Sequence, residues 1–430
     1  FLQNTVDGTI SAEAFGGGIV SFGKLTVRGS LFEANQALGY GGAILAGPGS
    51  DEAFTQVYTS TFVATQAGER GGAIDNRRGR LDVVNSTFGG NSAGAGGAIQ
   101  NFLGPANLYY VTLAGNNGGV GGVLDQSAYA GYVDDSRQRF NVYHTALAQV
   151  ANCAISGTAG PLPHFVSGGY NLAEDDSCAF FMNQPGDLNG VPAQLEGLAD
   201  NGGGAWTHLP SAGSSLIDAA PCLPDFNADQ RGVSRPQGAR CDIGAVEVQT
   251  DATPPPTVTP PSPPTVQPPP PNVGEPIQAT IGDGSPASCT AAMLAAAISA
   301  GGLITLDCGP NPVTIAGGPY TVAGDVSMDG GGLITLSGEN AHRLFRVQPG
   351  ASLRLANLIL ADGSAVEGAG SILNEGTLVL DTVTIRNSKT TGVNSGGGAI
   401  TNLAGTLTIF GSQLVNNEAA YTGGALSLND

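Results

Sequence analysis

The paired carboxylates are the first residues whose type suggests chemistry. Asp134 and Asp135 stand in YVDDSR, and Asp175 and Asp176 in AEDDSC. Glycoside hydrolysis needs two facing carboxylates, one to protonate the leaving group and one to act as base or nucleophile. Both pairs fall in irregular stretches rather than on a recurring strand face, which reads as turn acids and not as catalysis. A lyase would need a calcium cluster and a basic proton acceptor. The chain has only two lysines, Lys24 and Lys389, and its arginines lie mainly in turns. His208 has no Ser or Cys nucleophile motif beside it and reads as a hydrogen-bonded structural histidine. Trp206 is the single tryptophan. That is thin material for an aromatic sugar platform, to which Tyr109 and Tyr110 of LYYV add. The residues therefore point to no catalytic set, no metal set and no cofactor. Calcium is compatible with so many acids, but no spaced ligand loop appears.

Composition narrows the partners. The 430 residues carry a formal net charge of −19, which repels nucleic acid and anionic membrane surfaces. The most apolar stretch, Ala291 to Leu306, is interrupted by Gly301 and Gly302 and is too short to span a bilayer. Six cysteines fall in sequence-close pairs: Cys153 and Cys178, Cys222 and Cys241, Cys289 and Cys308. No CxxC is present. Disulfides, and hence an extracellular or cell-surface location, are the expectation.

What must position any site is a repeat. Blocks of small residues ending in an aliphatic recur: GGGI at Ile19, GGAI at Ile44, Ile74 and Ile99, GGVL at Leu124, AGSI at Ile372, GGAI at Ile400 and GGAL at Leu426. Such a period means a solenoid. Each period also holds an alternating strand, as in GKLTVRGSLF, GRLDVVNSTF, GTLVLDTVTI and GTLTIFGSQL, whose phase slips at Gly, Asn or Asp. An aromatic or aliphatic residue then precedes Asn by three: Phe32 and Asn35, Phe88 and Asn91, Leu113 and Asn116, Leu414 and Asn417. Phe62 breaks the line with Thr65. The reading is an all-β, right-handed parallel β-helix in which Phe and Leu ladder in the core and Asn ladders at a turn.

Along the chain, residues 1–150 read as coils forming the back half of a solenoid, and 151–249 as irregular terminal coils. Residues 250–276 are a Pro-rich spacer in extended polyproline II. Residues 277–310 hold a capping helix, with Ser288 as N-cap, and a first coil; 311–430 are the coils of a front half. The sequence starts at Phe1 without Met and reads as mature, processed or partial, and Phe1, Asn4, Leu426 and Asp430 lie inside the repeat pattern. A solenoid cut inside a coil exposes strand edges that template pairing. The expectation drawn from these four residues is head-to-tail association into a homopolymer.

Two resemblances add to this reading. The GGAI blocks paired with F-x-x-N resemble the repeats of chlamydial-type polymorphic outer membrane proteins, which implies a right-handed β-helix on a cell surface. Leu198 to Glu247 resembles the C-terminal part of bacterial choice-of-anchor Q β-helix proteins. The matching pieces are Asp200-Asn201-Gly202-Gly203, Thr207-His208, Ser215 to Asp218, Asp229-Gln230-Arg231-Gly232, Arg235, and Asp242 through Glu247. Both imply secreted or surface proteins, and neither implies a catalytic mechanism. Asp229, Arg231, Arg235, Asp242 and Glu247 are read as a charged network closing the terminal coils. Three functions follow in order: a structural subunit of an extracellular bacterial filament or appendage, a surface adhesin or glycan-binding module, and a polysaccharide lyase or hydrolase.

Overall fold

A computed structural model describes residues 1–6, 14–47, 53–119, 122–128, 139–157, 164–249, 277–392 and 396–429. The Pro-rich spacer, Asp134, Asp135 and Asp430 lie outside the described residues. The protein is an all-β parallel solenoid, and its α-helix among the described residues is Ala291–Ala300. It divides into two compact units, Ser21–Pro263 and Phe1–Val20 with Pro264–Asp430.

In Ser21–Pro263 each coil begins with a strand whose aliphatics point in and whose polar residues point out. Lys24–Arg28 shows strict alternation, with Leu25 and Val27 in the core. The chain then bends through one residue in the left-handed region: Gly29, Thr59, Asn85, Tyr110 and His144 in successive coils, with φ of 52°, 48°, 45°, 53° and 49°. That residue shifts the alternation by one, so the next residues resume the core from the other side of the bend. There Phe32 stacks on Phe62 at 4.7 Å and Phe62 on Phe88 at 4.8 Å, all fully buried. Leu113 and Leu147 continue the file. The ring spacing equals the separation of paired strands, so one stack serves core and sheet together.

A second bend carries the amide file. Asn91 Nδ2 donates to Asn116 Oδ1 at 2.8 Å, and Asn116 Nδ2 to Gln149 Oε1 at 3.2 Å. Thr65, where the Asn pattern breaks, still joins the file by donating its hydroxyl to Asn91 Oδ1 at 2.7 Å. Asn35 is fully buried at the same level. The glycine pair before each aliphatic then serves two different ends. Gly71 sits at φ 64°, and a Cβ on Gly72 would lie 2.0 Å from the carbonyl oxygen of Gly97 in the next coil. The GGA block is therefore what allows the coils to approach.

The other unit starts at its helix. Thr290, not Ser288, is the N-cap: its hydroxyl accepts from Met293 N at 3.3 Å. Ser288 belongs to a short 3-10 turn, Pro286–Ser288, where its hydroxyl donates to Ser285 O. Pro286 favours that turn, so the helix starts two residues later than the Ser pattern suggests. Leu294, Ala297 and Ile298 are buried beneath the helix, and Cys289–Cys308 ties its start to the first coil. Cys153–Cys178 and Cys222–Cys241 are also disulfides.

Phe1–Val20 belongs to this same unit. Leu2 N donates to Leu414 O and Thr5 N to Asn417 O, both at 2.9 Å, and Thr5–Val6 pairs with Glu418–Ala419. Asn417 Nδ2 donates to Asn4 Oδ1 at 3.0 Å, and Leu426 N to Gly18 O at 3.0 Å. Phe1 thus starts a Phe-x-x-Asn rung directly above Leu414 and Asn417. This corrects the reading of Phe1, Asn4 and Leu426 as residues free to join another copy. Their backbone and amide partners are in the same chain, because the coil periodicity that would match two copies matches the two segments of one.

Candidate functional site: an outer sheet face and its roofed neighbour

The strands Lys24–Arg28, Phe54–Tyr58, Arg80–Gly89, Pro105–Ala114 and Arg139–Tyr143 lie side by side in parallel register. Their first, third and fifth residues point away from the core, so three files run across the strands. One holds Lys24, Phe54, Arg80, Pro105 and Arg139. The middle one holds Thr26, Gln56, Asp82, Asn107 and Asn141. The third holds Arg28, Tyr58, Val84, Tyr109 and Tyr143.

The middle file is preorganised. Asn141 Nδ2 donates to Asn107 Oδ1 at 2.7 Å, and Asn107 Nδ2 to Asp82 Oδ1 at 2.6 Å. Arg80 closes the file with two bonds of 2.8 Å to Asp82. In the third file Tyr109 and Tyr143 stack at 4.8 Å and Arg28 lies 4.0 Å from the centre of the Tyr58 ring. Gln56 Nε2 donates to Tyr58 OH at 2.7 Å. The rings are half-buried, with flat apolar faces and polar edges.

Asp82 is the single carboxylate on this face among the described residues and is paired with Arg80. Burial, with Tyr143 and Asp82 nearby, pushes the Tyr109 phenol above its ordinary value. A phenol serving as proton acceptor at neutral pH would need the opposite shift. Among the described residues no three His, Cys, Asp or Glu side chains gather as a metal site.

Beside this face runs Thr61, Thr87 and Thr112, in register on the outer side of the next strand segment. The irregular segment Leu198–Glu247 docks there. Thr87 Oγ1 donates to Gln230 Oε1 at 2.6 Å, Gln230 Nε2 to Thr61 Oγ1 at 2.9 Å, and Ala245 N to Thr112 Oγ1 at 2.9 Å. Thr61 Oγ1 also donates to Trp206 O. Phe226 stacks on Tyr109 at 5.2 Å, so the roof forms one wall of the tyrosine file.

Within the roof, Arg235 Nη1 donates to Glu247 Oε2 at 2.7 Å, with both side chains fully buried. Arg231 is paired with Asp229 at 2.8 Å, Glu247 N donates to Asp229 Oδ2, and Val248 N to Asp242 Oδ2. Burial pushes the carboxyls of Asp242 and Glu247 up. Arg235 also lies 4.1 Å from the centre of the Tyr110 ring. These five charges come together as a clasp on the roof. His208 Nδ1 contacts Glu196 O at 2.8 Å with no nucleophile beside it, and burial lowers its pKa. Asp175 accepts from Ala151 N, Asn152 Nδ2 and Ser177, and serves as a cap.

Of the two tyrosines in LYYV, only Tyr109 is on the open face. Tyr110 takes the bend, is fully buried, and its hydroxyl accepts from Leu223 N at 3.0 Å. Sequence reading did not assemble Lys24, Arg28, Phe54, Tyr58, Arg80, Arg139 or Tyr143 into a site. The available signal was the alternate positions of the strand template, which stack only once the register is known.

No protein-family model matches the chain, and no curated protein matches it. Among solved structures, a PL6 family alginate lyase, AlyGC, aligns with 13% identity and a TM-score of 0.28, over 96% of this chain and 57% of that enzyme. The chain thus spans little more than half the length of that lyase, and a likeness at this level carries no argument for activity.

Proposed function

We propose that this protein is an extracellular, non-catalytic β-solenoid that binds glycans on the outer face of Lys24–Tyr143. The observation that supports it is the Tyr58, Tyr109 and Tyr143 file, beside amides already fixed by their own hydrogen bonds. Sugar chains present C–H groups and hydroxyls, and the outward ring edges and phenol hydroxyls of this file, whose faces are taken by one another, by Phe226 and by Arg28, stand beside the fixed amides to meet them. Three disulfides, and no helix among the described residues long enough to cross a membrane, are compatible with that location. The filament reading drew on Phe1, Asn4 and Leu426 as joining surfaces, and their partners within one chain leave it without that support.

The test is affinity electrophoresis and calorimetry against a panel of soluble plant, algal and bacterial polysaccharides. Tyr109→Ala with Tyr143→Ala should lose roughly tenfold or more in affinity for whichever glycan binds. Retention by the parent of none of the panel, or equal retention of parent and variant, would overturn the proposal.

A further inference from the structure

We infer that this face selects an acidic polysaccharide whose anionic group recurs on every second sugar. The inference rests on the glycan-binding reading above and names its ligand class. Its source is the file Lys24, Phe54, Arg80, Pro105 and Arg139. Lys24 stands opposite Phe54, Phe54 opposite Arg80, and Pro105 opposite Arg139, while Leu81 opposite Ala106 sets Arg80 beside Pro105. Cations and flat apolar rings alternate along it. Paired strands are about 4.8 Å apart, so the cations recur about every 9.6 Å. That matches two pyranose units of an extended chain lying across the strands.

Each alternative polymer leaves something uncompensated. A chain that turns a carboxylate toward the file on every sugar would place alternate carboxylates over Pro105, which has no cation of its own, and over Phe54, whose ring shares only the Arg80 guanidinium 5.1 Å from its centre. A neutral chain would dehydrate Lys24, Arg80 and Arg139 and return no charge to them. Lys24 and Arg139 are exposed and have no ion-pair partner among the described residues. Arg80 uses two donors on Asp82 and keeps the rest of its guanidinium, with its side chain 53% exposed. The net charge of −19 opposes a polyanion at long range. Screening over about 8 Å at physiological salt leaves the local cations to decide at contact.

The experiment compares three hexasaccharide probes by calorimetry at about 50 mM and about 300 mM salt. They are a hyaluronan hexasaccharide with a carboxylate on alternate sugars, an oligogalacturonate with one on every sugar, and neutral cellohexaose. The hyaluronan probe should bind roughly tenfold tighter than either other and weaken with salt. Lys24→Gln with Arg139→Gln should remove that advantage, and Phe54→Arg should shift preference toward the oligogalacturonate. These surface changes leave the core intact, which circular dichroism checks. Equal or tighter binding of oligogalacturonate or cellohexaose by the parent overturns the spacing inference and leaves glycan binding standing. Binding of none of the three, nor of the wider polysaccharide panel, overturns both.

Discussion

On the outer sheet face of Ser21–Pro263 the exposed positions carry Lys, Arg, Tyr, Phe and amides. The corresponding positions of the other unit, on strands Asp325–Ser337, Ser352–Ala361, Thr377–Asp381 and Thr406–Phe410, are different. They are Asp325, Ser327, Asp329, Ser352, Arg354, Ala356, Thr377, Val379, Asp381, Thr406, Thr408 and Phe410. The one cation among them, Arg354, is bonded to Asp381 at 2.8 Å. The neighbouring file differs too. Thr61, Thr87 and Thr112 are roofed, whereas around Thr384 the surface stays open as a concavity of about 470 Å³ lined by Asp329, Asn357, Ile359 and Thr382. The inward positions are apolar in both units, with Leu360, Ile385 and Leu414 in the file that Phe32, Phe62 and Phe88 hold in the other. The coil is therefore a scaffold whose outward residues vary without cost to the core.

The sharpest way to break that contrast is through the roof. Removing the cation in Arg235→Met leaves Glu247 buried and unpaired, which should cost about 3–5 kcal/mol. Arg354→Met, at a partly exposed pair, should cost under about 1 kcal/mol. Trp206 lies in the roof, so its fluorescence during urea unfolding reads the first change directly. Equal small costs for both would mean that the clasp does not hold the roof.

A smaller effect tests what the units share. Asn91→Leu and Asn417→Leu each strand buried partners of an amide file and should each cost about 1–3 kcal/mol. A large loss in one and none in the other would show that the files are not equivalent.

The smallest effects concern pH, and both groups sit in Ser21–Pro263. Burial pushes the Asp125 carboxyl up to about 6, against hydrogen bonds from Ser156 and Gln100 and the charge of Arg70. The folded state then holds the proton more tightly than the unfolded chain, whose value is about 3.9. Stability is fully present below that value and is lost as pH rises through 6. Asp125→Asn should therefore gain on the parent at pH 7 to 8, by on the order of 1–2 kcal/mol, and not at pH 4. His144 runs the other way. Burial, with Arg235 and Arg240 nearby, lowers it to about 4, so its contribution is lost as pH falls from about 6.5 toward 4. Thermal melts of Asp125→Asn and the parent across this window separate the two. Identical pH profiles would remove Asp125 from the account.

Much of the fold was legible because each coil repeats one local rule. Alternation, a left-handed residue, a core aromatic, an Asn and a glycine pair are all visible within one period. Departures came where a local competitor intervened. Pro286 took Ser288 into a turn and left Thr290 to cap the helix, and the bend at Tyr110 turned that ring inward while Tyr109 stayed out. The five roof charges were grouped in sequence because they lie within twenty residues of one another, but the threonines they are docked beside were not.

By itself, the sequence determined the class of coil and the inward residues, since each depends on spacing within about one period, whereas the connectivity of the six cysteines came from the structure. Only the tertiary structure decided which outward residues meet. Lys24 and Arg139 share a file because five strands stack in register, and Asn4 meets Asn417 across a separation of 413 residues. Alternation says that a residue points outward. Register, turn length and the docking of Leu198–Glu247 decide what stands beside it, and those are properties of the stacked coils rather than of any one of them.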